Sequence, residues 1–226
     1  RDEDLCLANM SAMNRFDVLN AQVLQQRNGA PIRIDIEGTD QLHLSRPDVM
    51  LEAATTSFQL HLQVPFAHAG RYYNASLVSC APLLAAAVNS PLLFGQRLWQ
   101  ETRVPLFEQS VELGGYNGLA ERTVRRVTFG RDYVARSPLE LFQENLEHYP
   151  VLLPMPQSDP PSRFPHLRLH NGAIWRWVRP LIGFDAAGQG HVRLEQRVLP
   201  SGPTVLDMVA NAALYFGLVH ALARQP

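Results

Sequence analysis

The chain has 226 residues, 46% of them hydrophobic and 18% charged, so it is long enough to bury a real core and too apolar to be disordered. Its net charge of −1 argues against a nucleic-acid partner, and its two cysteines, Cys6 and Cys80, make neither a disulfide framework nor a zinc spacing and point to a reducing, cytoplasmic setting. All 20 cations are arginine, which excludes any mechanism built on a lysine and leaves anions to Arg, backbone N–H groups or a metal.

Arg1 to Gln26 reads as an entry loop and then a helix, with Phe16, Leu19, Val23 and Leu24 on one apolar face. Pro31 to Glu37 alternates Ile32, Ile34 and Ile36 with Arg33, Asp35 and Glu37, a one-sided strand, and Gly38-Thr39-Asp40 turns it. Glu52 to Val64 ends in a second strand, where Phe58, Leu60, Leu62 and Val64 oppose the polar face Gln59, His61 and Gln63. Arg71 to Val88 is a long Ala- and Leu-rich helix with Pro82 as a kink, stopped by Asn89-Ser90-Pro91. The longest uncharged run, between Arg71 and Arg97, contains Asn74, Pro82, Asn89 and Pro91, so it reads as a buried helix plus a loop and not as a membrane span.

Gln96 to Ser110 carries Arg97, Glu101, Arg103 and Glu108 beside Trp99 and Phe107; Gly114 to Gly118 reads as loop, followed by Arg122, Arg125, Arg126 and Arg131. Ser137-Pro138-Leu139-Glu140 opens a helix running to about His148, with a cap, a proline in the first turn and a Glu completing the box. The proline-rich stretch from Met155 to Pro165 reads as a surface loop. Leu167 and Leu169 then alternate with His166, Arg168 and His170. After Asn171-Gly172, Ile174 and Val178 alternate with Trp175, Trp177 and Arg179, which predicts a hairpin. Asp185 to Gly190 turns into a last strand in which Val192, Leu194 and Val198 alternate with Arg193, Glu195 and Arg197. Pro200-Ser201-Gly202-Pro203 ends that strand, and Thr204, with Asp207 three residues on, starts a helix. Short one-sided strands with several helices, and no regular strand–helix alternation, predict an α+β fold with an antiparallel sheet. Helices pack on one face and the other presents His, Arg, Glu and Gln.

The ordered set Thr55-Thr56-Ser57-Phe58-Gln59-Leu60-His61-Leu62-Gln63, Asn89-Ser90-Pro91, Arg168 to Trp177 and Arg193 to Pro200 resembles the glutamate–cysteine ligase family, in its second group of bacterial and plant-related members with their carboxylate–amine ligase relatives. The resemblance implies a single catalytic-type domain over residues 1–226, with a glutamine synthetase-like curved antiparallel sheet that binds ATP and Mg²⁺ and joins a glutamate-like carboxylate to an amine through an acyl phosphate. The partners implied are small amino-acid substrates, with no nucleic acid and no membrane and with room for a homo-oligomer.

Residue by residue, the resemblance makes Glu195 the expected metal ligand and His61 a second ligand to the metal or a contact to substrate. Arg197 shares the Glu195 face and is placed on the transferring phosphoryl group, Arg103 near phosphate or substrate carboxylate, and Trp175 as a wall of the nucleotide or substrate pocket. One departure stands out. Family members begin with a strand carrying a Glu-x-Glu pair, and Asp2-Glu3-Asp4 does not look like it, so the sequence is expected to be part of a longer protein that carries further metal-binding carboxylates. The rival reading is a non-catalytic relative that binds an amino acid or a nucleotide as a sensor or partner module.

Overall fold

The computed structural model describes residues 2–113 and 125–225. The expected loop at 114–118 and Arg122 lie outside these residues. In chain order the elements are α1 (Asn14–Gln26), β1 (Ile32–Glu37), β2 (Gln41–Arg46), β3 (Leu60–Val64), α2 (Ala69–Ala87), the two-residue strands β4 (Leu92–Leu93) and β5 (Gln96–Arg97), α3 (Arg103–Ser110), β6 (Val127–Thr128), α4 (Leu139–His148), α5 (Pro165–Gly172), β7 (Trp175–Arg176), β8 (Val178–Phe184), β9 (Gly190–Gln196) and α6 (Val205–Ala223). The fold is mixed helix and strand with antiparallel sheets. The chain divides into two compact units, one of Arg1–Thr56, Asn89–Val127 and Val151–Pro154, the other of Ser57–Val88, Thr128–Pro150 and Met155–Pro226.

In the first unit β1 and β2 form the hairpin that the isoleucine alternation demands, with Ile34 opposite Leu44 and Ile36 opposite Leu42. Ile32, Ile34 and Ile36 are at most 1% exposed, while Arg33, Asp35 and Glu37 face solvent. Helix α3 is tied to this hairpin by Gln109, whose side chain accepts from the Asp35 amide (2.6 Å) and donates to the Asp35 carbonyl (3.0 Å).

The second unit is built on the antiparallel sheet β3–β9–β8. Its register sets Leu60, Leu62 and Val64 opposite Gln196, Leu194 and Val192, with Val178, Pro180 and Ile182 on the far side of β9. This face packs on α2, where the Gln196 side chain donates to the Ser76 carbonyl and meets the Cys80 thiol. Burial lifts the Cys80 thiol to a pKa of about 11, with Gln196 opposing the shift. Helix α6 runs antiparallel along α2, with Tyr72 bonded to His220 and Ser76 to Tyr215. The capping box read at Thr204 is present: Thr204 Oγ1 accepts from the Asp207 amide, and the Asp207 carboxylate accepts from the Thr204 amide. At Ser137 only half of the expected box forms: Glu140 takes the amides of Ala135, Arg136 and Ser137, but the Ser137 hydroxyl accepts from the Leu139 amide and the Glu140 amide goes to the Ser137 carbonyl.

One expectation is overturned. His166 to His170 is not a strand, and Asn171-Gly172 is not a hairpin turn: the stretch is helix α5. Five alternating residues fit a short helix as well as a strand. Pro165 in the first turn and Gly172 at the end are the signals that a helix carries. Tertiary contacts then fix it, for Asn171 accepts from Asn145 (2.9 Å) and donates to the Pro180 carbonyl (2.8 Å). The hairpin lies one turn later, at Asp185 to Gln189, where the Asp185 side chain caps the Gln189 amide and Gly188 supplies φ +82°.

Candidate functional site

The other face of β3–β9–β8 carries the charge. A period of two puts Arg193, Glu195 and Arg197 on the side opposite Leu194 and Gln196, and the antiparallel register then sets His61 and Arg179 directly across from Glu195 on its two neighbouring strands. Glu195 is the hub. Its Oε2 accepts from Arg179 Nε and Nη2, both at 2.8 Å, and from Arg197 Nη1 at 3.2 Å, while His61 Nε2 lies 3.3 Å from Oε1. The Glu195 side chain is 5% exposed, Arg179 12% and Arg197 11%, so the group is shielded, and only His61, at 38%, reaches well into solvent.

Burial by itself raises the pKa of Glu195. The guanidiniums of Arg179 and Arg197 outweigh it and hold the carboxyl below its usual value. For Arg179 burial and then Arg197 lower the pKa, with Glu195 working against both. Arg193 continues the same face, opposite Gln63 and Leu181, and its Nε is buried with no hydrogen-bond partner among the described residues. Among the described residues the face therefore holds three guanidiniums to one carboxylate. Such an excess of forked N–H donors suits a phosphate or a carboxylate group.

Glu195, His61 and Arg197 thus come together as the sequence reading placed them. Arg103 sits in the first unit, 4% exposed, its Nε 3.0 Å from Glu101 Oε1, with the second Glu101 oxygen accepting from the Asn89 amide. Trp175 is in the second unit and 6% exposed. Arg179 was named in the sequence only as one member of an alternating face. The signal was there, an arginine on the polar side of a strand, but nothing local says that this strand pairs with β9.

The donor set as arranged does not fit Mg²⁺. That ion takes oxygen ligands in octahedral array. Here the only carboxylate of the face among the described residues is saturated by guanidinium N–H groups on one oxygen and faces an imidazole on the other. Among the described residues no three His, Cys, Asp or Glu side chains converge as a metal site.

The profile of glutamate-cysteine ligase family 2 matches residues 45–226, four-fifths of the sequence and the whole of the charged sheet, and the chain belongs to that family, one of ligase-type enzymes. No curated protein and no solved structure matches it.

Proposed function

We propose that the β3–β9–β8 face is the anion-handling surface of an ATP-dependent carboxylate–amine ligase. The single observation behind this reading is the buried Glu195–Arg179–Arg197 group inside the matched region. In the proposed reaction a carboxylate oxygen attacks the γ-phosphorus of ATP, the bond to ADP breaks, and an acyl phosphate forms. The amine nitrogen then attacks the acyl carbon and gives up a proton, and inorganic phosphate leaves with the C–O bonding pair. Negative charge gathers on phosphoryl oxygens in the first step and on the acyl oxygen in the second. Arg197 and Arg179 are placed to offset it, and they are held in advance by Glu195, so little reorganisation is needed when the charge develops. His61, the exposed member, sits at the rim, where a substrate group reaches it first. No step is assigned to Mg²⁺ on these residues.

The same saturation of Glu195 favours a second reading, a family member that binds an amino acid or a nucleotide and does not turn it over. One experiment separates the two. The full-length protein is incubated with ATP, Mg²⁺, glutamate and a panel of amines, and ADP and phosphate are followed. Amine-dependent release that falls at least about a hundredfold in Arg179→Gln supports the ligase reading. Calorimetric ligand binding with no release for any amine establishes the second.

A further inference from the structure

Helix α6 meets the rest of its unit along one side only. Tyr215, Val219 and Ala223 are buried against α2, whereas Val205 is 71% exposed, Leu206 77%, Val209 58% and Leu214 40%. Between them Ala210, Ala213, Gly217 and Ala221 are also exposed. The helix is long and apolar enough to cross a membrane by length and composition. The adjoining helix adds exposed Val78, Ala81, Pro82, Ala85 and Ala86. A bare apolar surface of this extent on a folded protein marks an interaction site.

We infer that this face pairs with the same face of a second copy, α6 packed antiparallel on α6 about a two-fold axis. Three observations choose that occupant. The first is charge. Asp207 at the first turn and Arg224 at the C-cap are the only formal charges from Val205 to Arg224. Antiparallel pairing sets Asp207 of each copy near Arg224 of the other and opposes the two helix dipoles, whereas a parallel pair sets like on like. The second is shape. The small residues Ala210, Gly217 and Ala221 leave room for the other copy's Leu206 and Leu214, and large against small across a two-fold axis is self-complementary. The third is size. Helices α6 and α2 each span about 28 Å, and side by side they offer roughly 500–600 Å² of plane per copy, within the range of specific interfaces once side-chain relief is included.

A lipid surface fits less well. No arginine or lysine lies between Val205 and Ala223 to meet headgroups, the one histidine there, His220, is turned to Tyr72 of α2, and Tyr215 fastens the helix to the same partner. The pairing is independent of the chemistry proposed for the sheet.

Sedimentation of the full-length protein tests it, with Leu206→Arg and Val209→Arg as the variants, since both side chains stand in solvent in the isolated fold. A dimer at micromolar concentration whose dissociation constant rises at least about tenfold in each variant, with far-UV circular dichroism and melting unchanged in the monomer, is the expected result. Asp207→Arg weakens the dimer and Asp207→Arg with Arg224→Asp restores it. A monomeric wild type overturns the inference, as does a dimer indifferent to both variants. Co-sedimentation with phosphatidylcholine–phosphatidylglycerol vesicles that the variants abolish, without any dimer, overturns it in favour of a membrane.

Discussion

Replacing Glu195 by Gln takes the one negative charge out of a group that otherwise holds two guanidiniums within 3.2 Å of a single oxygen. The formal charge of Glu195, Arg179 and Arg197 together goes from +1 to +2. Two guanidiniums about 5 Å apart, at an effective dielectric of about 20, repel by about 3 kcal/mol. Removing one partner of a buried ion pair costs about 3–5 kcal/mol when measured directly, which agrees. For a chain of this length that is a fall in Tm of about 10 °C at pH 7.

The acid limb gives a second, independent reading. The Glu195 carboxyl titrates below its ordinary value in the native chain, so between the folded and unfolded values the unfolded state binds more protons. Its contribution is complete above the unfolded value of about 4.3 and is lost as the pH falls through the folded value. The gap in Tm between wild type and E195Q should therefore be constant from about pH 6 to 8 and close as the pH drops below about 4. Scanning calorimetry across that range measures both. A variant that melts within about 2 °C of wild type at pH 7, or a gap undiminished at about pH 2.5, refutes the idea that Glu195 is the counter-charge of the arginines.

Two further outcomes are expected. Gly130 has φ +89°, and a Cβ added there would overlap the guanidinium of Arg176, which is fully buried and pinned by Glu144 and Asn145 at 2.9 Å each. Gly130→Ala should cost about 2 kcal/mol in urea denaturation, and a cost under about 0.5 kcal/mol would show that Arg176 gives way. Cys80, buried with its pKa near 11, should resist a disulfide reagent at pH 8 while the half-buried Cys6 reacts. Of these two thiols Cys6 alone should therefore be labelled fast in the native protein and both in denaturant, as peptide mapping reads directly; fast labelling of Cys80 would show that the α2 packing opens.

Local signals carried much of the second unit. The alternation in β9, the capping box at Thr204, the reach of Glu140 back to the Ser137 amide and the proline-bearing helix α2 depend on neighbours within a turn or a strand, so a linear reading finds them. The α5 error has the same root. His166 to His170 alternates only by accident of composition, and what makes it a helix is Pro165 locally and Asn171 reaching Asn145 and Pro180 across the unit.

What the sequence determined by itself was the content of the charged face, because a period of two is enough to place Arg193, Glu195 and Arg197 on one side of a strand. The tertiary structure decided what those charges do. Strand order and register are long-range properties, set by which apolar residues meet over α2. Only they bring Arg179 from sixteen residues upstream and His61 from the far edge strand onto Glu195. A residue that reads as a metal ligand in isolation is thereby made the counter-ion of an arginine pair.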